Sequence, residues 1–254
     1  MGCDIHIIAE VKENGTWRKN TDKLFVNPYY ISDEKLKEIQ EKNPDYTKSD
    51  WQEEEFQLEP GSGRNYDWFA VLADVRNGRG FAGIRTGAGF DVIAQPKGVP
   101  ADCCDEWKEY VKQWDCDMHS TSFLSIDEFD AFDWNQVTMK YGVIPLSVYK
   151  ELRDSGNSPE SWSGGISGPN IIVIDTDIAD RIIAGENIEL QASDYFGKPQ
   201  GEKKPASEFD VYVGYEWPVL YKDWFEHNIK TIVEPLRELS KKYEDARIVF
   251  GFDN

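Results

Sequence analysis

The stretch Cys3-Asp4-Ile5-His6-Ile7-Ile8-Ala9-Glu10-Val11-Lys12 largely alternates apolar and polar side chains, and Glu13-Asn14-Gly15 follows it before Thr16-Trp17-Arg18. Alternation with β-branched residues, closed by an Asn-Gly pair, predicts a strand opening a hairpin. Side chains alternate across a strand, so Asp4 and His6 share one face, while Cys3, Ile5 and Ile7 face apolar cover on the other. The far end, Arg247-Ile248-Val249-Phe250-Gly251-Phe252, reads as a second strand. Strands at both ends with helical patterns between them predict an α+β fold. Its mixed or antiparallel sheet should hold the first and last strands as neighbours, with helices packed on it. No repeat and no clear linker interrupts the chain, so one domain over 1–254 is expected.

Between these ends, Asn65 is placed to cap an apolar helix from Tyr66 to Val75, with Phe69, Leu72 and Ala73 on its buried stripe. A helix is expected from about Asp102 to Trp114, with the polar cluster Asp115–Ser122 at its end. Ser125-Ile126-Asp127-Glu128 has the form of a helix start. Ile171 to Asp175 and Val211 to Trp217 read as strands, and Asp177 to Ala184 as a short helix. From about Tyr221 to Tyr243, Ile229, Ile232, Val233, Leu236 and Leu239 recur at helical spacing, with Pro235 kinking the helix or starting a second one.

Composition excludes several functions. The formal net charge is −19, which repels DNA, RNA and anionic membranes; its plain meaning is a well-solvated acidic surface. No apolar run is long enough for a membrane helix, and the first residues lack the basic and apolar blocks of a signal peptide. A cytoplasmic location and no membrane partner are therefore expected. The four cysteines contain no Cys-x-x-Cys pair, so reduced thiols are expected rather than a disulfide framework or zinc ribbon.

Two of the three histidines lie in short polar clusters, Cys3-Asp4-Ile5-His6 and Asp115-Cys116-Asp117-Met118-His119-Ser120-Thr121-Ser122. Between them runs Arg76-Asn77-Gly78-Arg79-Gly80-Phe81-Ala82-Gly83-Ile84-Arg85-Thr86-Gly87. Its Gly-x-Gly-x-x-Gly spacing is not a dinucleotide fingerprint, because a helix precedes it and a loop follows. Ile84-Arg85 stands where a P-loop needs Lys-Ser/Thr. What remains is a flexible backbone with arginines that can cradle an anion. The catalytic candidates are His119, His6, Asp4 and Asp117. The ligand-binding candidates are Arg64, Tyr66, Arg76, Asn77, Arg79, Arg85, Thr86, Ser120 and Ser122, with Tyr66 or Trp114 stacking on a ring. His119 with Asp115 or Asp117, plus Asp4 and His6, would also supply nitrogen and oxygen ligands to a metal, but no one-helix metal motif supports this, and cofactor and metal stay open. The plainer accounts are a histidine at a helix end, a polar pair on a half-exposed strand and a solvent-facing arginine loop. His227 reads as an ordinary surface residue.

Taken together, Met1-Gly2-Cys3-Asp4-Ile5-His6, Arg64-Asn65-Tyr66, Ala73-Asp74-Val75-Arg76-Asn77, Gly80-Phe81-Ala82-Gly83, Pro96-Lys97-Gly98-Val99-Pro100, Asp117-x-His119-Ser120 and the ending Phe252-Asp253-Asn254 resemble a family of phage and prophage proteins. Members usually carry His-Ser-His-Ser where this chain has His119-Ser120-Thr121-Ser122, which disfavours a mechanism needing two histidines there. The resemblance implies a genomic setting rather than an activity, and it groups the arginine loop and both histidine clusters. The expectation is a phage-derived protein that binds a small nucleotide-like phosphorylated ligand, sequestering a host defence signal. The alternative is a phosphodiesterase-like hydrolase, metal-dependent or not, that degrades it. Both histidine clusters are expected to meet in one site.

Overall fold

The computed structural model describes residues 2–61, 63–192 and 198–253, so Met1 and Asn254 of the quoted end motifs lie outside the described residues. In chain order the strands are β1 (Asp4–Glu13), β2 (Thr16–Lys19), β3 (Phe25–Val26), β4 (Phe56–Gln57), β5 (His119–Ser125), β6 (Val137–Pro145), β7 (Ile171–Ile174), β8 (Glu189–Leu190), β9 (Lys204–Pro205), β10 (Asp210–Leu220) and β11 (Asp245–Asp253). The helices are α1 (Asp33–Lys42), α2 (Tyr66–Ala73), α3 (Asp105–Trp114), α4 (Ile126–Ala131), α5 (Leu146–Leu152), α6 (Thr176–Ile183), α7 (Tyr221–Trp224), α8 (Glu226–Asn228) and α9 (Glu234–Lys242). The fold is α+β, with the first and last strands paired as expected. The chain divides into two compact units. One comprises Met1–Val75, Val92–Asp133 and Trp224–Asn254, the other Arg76–Asp91 and Trp134–Asp223. The chain passes between the units four times, first at Val75–Arg76, where the glycine-arginine stretch begins.

The first unit is built on a four-stranded sheet in the order β2-β1-β11-β5. β1 and β11 run antiparallel from Asp4↔Asp253 to Lys12↔Asp245. Asn14 and Gly15 take positive φ, as a two-residue hairpin turn requires. β11 is central, flanked on both sides and covered on both faces, so it is a nearly unbroken apolar run rather than an alternating one. On one face Phe252 packs against Phe69 of α2, and α9 also lies on β11. On the other face α3 seats Trp107 with Val249, Ile8 and Phe123. Asn65 caps α2 by accepting from Trp68 N at 3.1 Å. From Trp68 to Ala73 that helix is wholly buried, in keeping with its lack of a polar face.

One local expectation changes in this unit, and the break expected at Pro235 is present. The cluster after α3 does not stay a helix end: His119–Ser125 is a strand on the outer edge of β11. The long C-terminal helix is interrupted, with a π-turn over Ile229–Val233 ahead of α9. Pro235 lies in the first turn of α9; with no N–H to donate and a ring that crowds the preceding turn, it favours a widened turn there.

The second unit has a three-stranded sheet, β6-β10-β7, with β10 antiparallel to β6 and parallel to β7. β6 was not anticipated, because its pattern is inverted: Thr138 and Lys140 are buried, whereas Val137 is 61% exposed. Thr138 Oγ1 donates to Gly89 O, and the Lys140 ammonium lies over the Phe90 ring.

Candidate functional site

β1 positions the first histidine cluster. Residues directly opposite each other on paired strands point to the same face, so His6, opposite Gly251, faces α3 with Asp4 and Asp253. The His6 ring lies between two aromatics of α3, 4.3 Å from Trp114 and 5.5 Å from Tyr110 between centroids. Tyr110 Oη is 2.7 Å from His6 Nδ1. With that hydroxyl donating, the imidazole proton sits on Nε2, which is 3.7 Å from Asp253 Oδ2. Asp253 Oδ1 meanwhile accepts from Asp4 N at 3.0 Å.

Arg64 closes the end of this row. Its Nε and Nη2 donate to the two Asp4 oxygens at 2.5 and 2.8 Å. That fork holds the Asp4 carboxyl below the usual carboxylate range, outweighing the opposing effect of its desolvation. Arg64 is therefore matched to a protein carboxylate rather than presented to a phosphate. Tyr66 accepts from Cys3 N at 3.3 Å and meets Phe69 edge-on, so it anchors the start of β1.

A cavity of about 450 Å³ opens beside His6, lined among others by Ile7, Lys19, Tyr29, Glu59, Glu106 and Tyr110. Lys19 and Glu59 form an ion pair at 2.9 Å inside it. Burial pushes the Glu59 carboxyl upward against the pull of Lys19. Rings, a paired acid and base, and one imidazole suit a flat polar molecule held by contacts on several sides.

The second histidine cluster does not join this site. His119 lies opposite Phe252 and stacks on it, with centroids 6.1 Å apart. Phe252 pairs with Ile5, so His119 is on the face opposite His6 and the sheet lies between them. The cause is a bulge: the register shifts between Phe250 and Phe252, and Ser120 takes φ +48°. Ser120 Oγ is 3.1 Å from His119 Nδ1. Ser122 is fully buried and accepts from Lys97 N at 3.1 Å, a structural role. Asp117 is exposed in the one-turn helix Asp115–Asp117 that links α3 to β5. Among the described residues, no group of three or more His, Cys, Asp or Glu is arranged to hold a metal ion.

The glycine-arginine loop belongs to the second unit and is wired to itself. Arg79 N donates to Arg76 O, Gly80 N to Ile84 O, Ile84 N to Phe81 O and Thr86 N to Gly78 O. Those N–H groups are thus committed within the loop rather than turned out as an anion cradle. The Arg76 Nη1 to Gly80 O contact is long, at 3.5 Å. Asn77 grips the Phe90 backbone in both directions at 2.7 Å. Arg85 pairs with Glu216 and covers the Tyr141 ring. Arg79, Arg85 and Asn77 still line a hollow of the loop.

Sequence reasoning missed Tyr110, Asp253, Lys19 and Glu59. Tyr110 was reachable: it lies three and four residues from Trp107 and Trp114 on α3, the spacing of one helix face. Lys19 and Glu59 meet only through the fold. No protein-family model, no curated protein and no solved structure matches this chain.

Proposed function

We propose that this protein binds a small nucleotide-like molecule in the cavity beside His6. The observation that carries this is the cavity itself: about 450 Å³, walled by Tyr29, Trp107, Tyr110 and His6, with Lys19, Gln57, Glu59 and Glu106 as polar partners. Aromatic faces suit a base, and the carboxylates and amide suit its edge or ribose hydroxyls. Phosphates fit less well, because Lys19 is tied to Glu59 and Arg64 to Asp4. Recognition therefore rests on base and sugar, with any phosphate directed to solvent. The phage resemblance supports a role in an infected cell, where sequestering a nucleotide signal would counter a host defence.

Hydrolysis is the second reading, favoured by the Tyr110–His6–Asp253 array, a proton-transfer chain in form. Calorimetry and thermal shift with nucleosides and with mono-, di- and cyclic nucleotides test binding; chromatography of the recovered ligand separates binder from enzyme. His6→Ala is expected to abolish binding, and His119→Ala, on the other face of the sheet, to leave it intact. Retained affinity in His6→Ala, or no response to any compound, would end this reading.

A further inference from the structure

β1 pairs with β11 from Asp4 to Lys12, but with β2 only from Glu10 to Glu13. The N–H and C=O of one residue in an antiparallel strand point to the same side, and those of the next residue to the opposite side. Glu13 and Thr16 flank a two-residue turn and so form a hydrogen-bonded pair, which turns the odd-numbered residues of β1 toward the β2 side. Ala9 follows that rule. Its carbonyl accepts from Asn20 N and its N–H donates to Glu59 Oε2, both at 2.9 Å. Ile7 and Ile5 come next along the same edge. Among the described residues, none hydrogen-bonds to their backbone groups there. Both residues are nonetheless buried, Ile5 at 5% and Ile7 at 8% exposure. Main-chain groups shut away from water are nearly always paired, so an unpaired edge bordering hollows is open to water or to a ligand.

Hollows lie on both sides of this edge. The cavity of the proposed site, about 450 Å³, reaches Ile5 and Ile7 beside His6. A second, about 370 Å³, reaches the same two residues beside Trp68 and Ile232. Pro28, Tyr29 and Gly61 border both. We infer that the Ile5–Ile7 edge is the base-reading element of the ligand site: its main-chain N–H and C=O groups bond the donor–acceptor edge of a nucleobase. This rests on the nucleotide-like reading above and names the part of the molecule recognised. In-plane donors and acceptors side by side match the adjacent donor and acceptor of a base edge, and Pro28 and Tyr29 line the hollows that such a ring would enter. Ala9 is already bonded on this edge and Cys3 N is held by Tyr66, so only the alternate residues Ile5 and Ile7 offer groups there.

The test uses the full chain with ¹⁵N-isoleucine, the Ile5 and Ile7 amides being assigned by their loss in Ile5→Val and Ile7→Val. Adenosine, guanosine, cytidine and uridine are titrated singly. The expected result is binding of at least one, with the Ile5 or Ile7 amide moving downfield. Ile7→Pro removes one donor on an edge where proline is tolerated and should weaken binding about tenfold, the worth of one hydrogen bond. Binding that depends on His6 while neither amide moves overturns this inference and leaves the proposed function standing. No binding by any of the four nucleosides, with a nucleotide still bound, also overturns it. No binding by any compound overturns both.

Discussion

Replacing Glu10 should destabilise the first unit more than any other single change at a polar side chain. Glu10 is fully buried and Arg247, opposite it on β11, is 4% exposed. Glu10 Oε2 accepts from Arg247 Nε at 2.7 Å, and Oε1 accepts from Cys104 N, the residue before α3, at 2.6 Å. The guanidinium also bonds Asp102 at 3.0 Å and lies 3.9 Å from the centroid of Trp17. Glu10→Ala leaves a buried guanidinium with only the exposed Asp102 carboxylate, and leaves Cys104 N without its acceptor. Breaking a buried pair this way costs about 3–5 kcal/mol. At about 2–4 °C per kcal/mol for a chain of this size, Tm should fall by roughly 6–20 °C. Glu10→Leu with Arg247→Met removes both charges and should recover at least about 2 kcal/mol of that loss. Urea unfolding followed by tryptophan fluorescence, with Trp17 and Trp107 close by, measures the cycle. A Glu10→Ala loss below about 1 kcal/mol, or a double variant no better than the single one, would refute the reasoning. Glu10→Ala should also weaken ligand binding, since Cys104 N sets where α3 starts and α3 carries Tyr110.

Two further outcomes follow from burial. The Glu59 carboxyl is pushed above its ordinary value of 4.5 chiefly by desolvation, so its folded value exceeds its unfolded one. Its contribution favours folding fully below pH 4.5 and is lost as pH rises through the raised value. Glu59→Gln should therefore flatten the urea-midpoint profile just above pH 4.5, and an unchanged profile would count against the burial argument. Of the cysteines, Cys116 is exposed, while Cys3, Cys103 and Cys104 are buried, and burial pushes the Cys104 thiol up to about 12. Titration with a disulfide reagent at neutral pH should label Cys116 rapidly and the other three only on unfolding. Rapid labelling that survives Cys116→Ser would contradict this.

The alternation from Cys3 to Lys12, the Asn14-Gly15 turn and the apolar run at Arg247–Phe252 announced strands, because each pattern follows from the two-residue period of one element. Asn65 and the Ser125/Glu128 capping pair announced helix starts for the same reason: the donor and acceptor are three residues apart, and both caps form. The faces of Asp4 and His6 were likewise legible. Other features required the register between distant segments. Thr138 and Lys140 point inward on β6 because Gly89 and Phe90 await them there, which reverses the face that hydropathy alone assigns. His119 is separated from His6 by one bulge at Ser120, and a single extra residue in a strand moves every later side chain to the other face. The cavity beside His6 joins Lys19, Tyr29, Glu59 and Tyr110, residues that no local pattern links. Sequence periodicity therefore settled the two terminal strands, the buried helix after Asn65 and which face of β1 carries the imidazole. Only tertiary structure decided which histidine owns the site, because that depends on which strand lies beside which, and in what register.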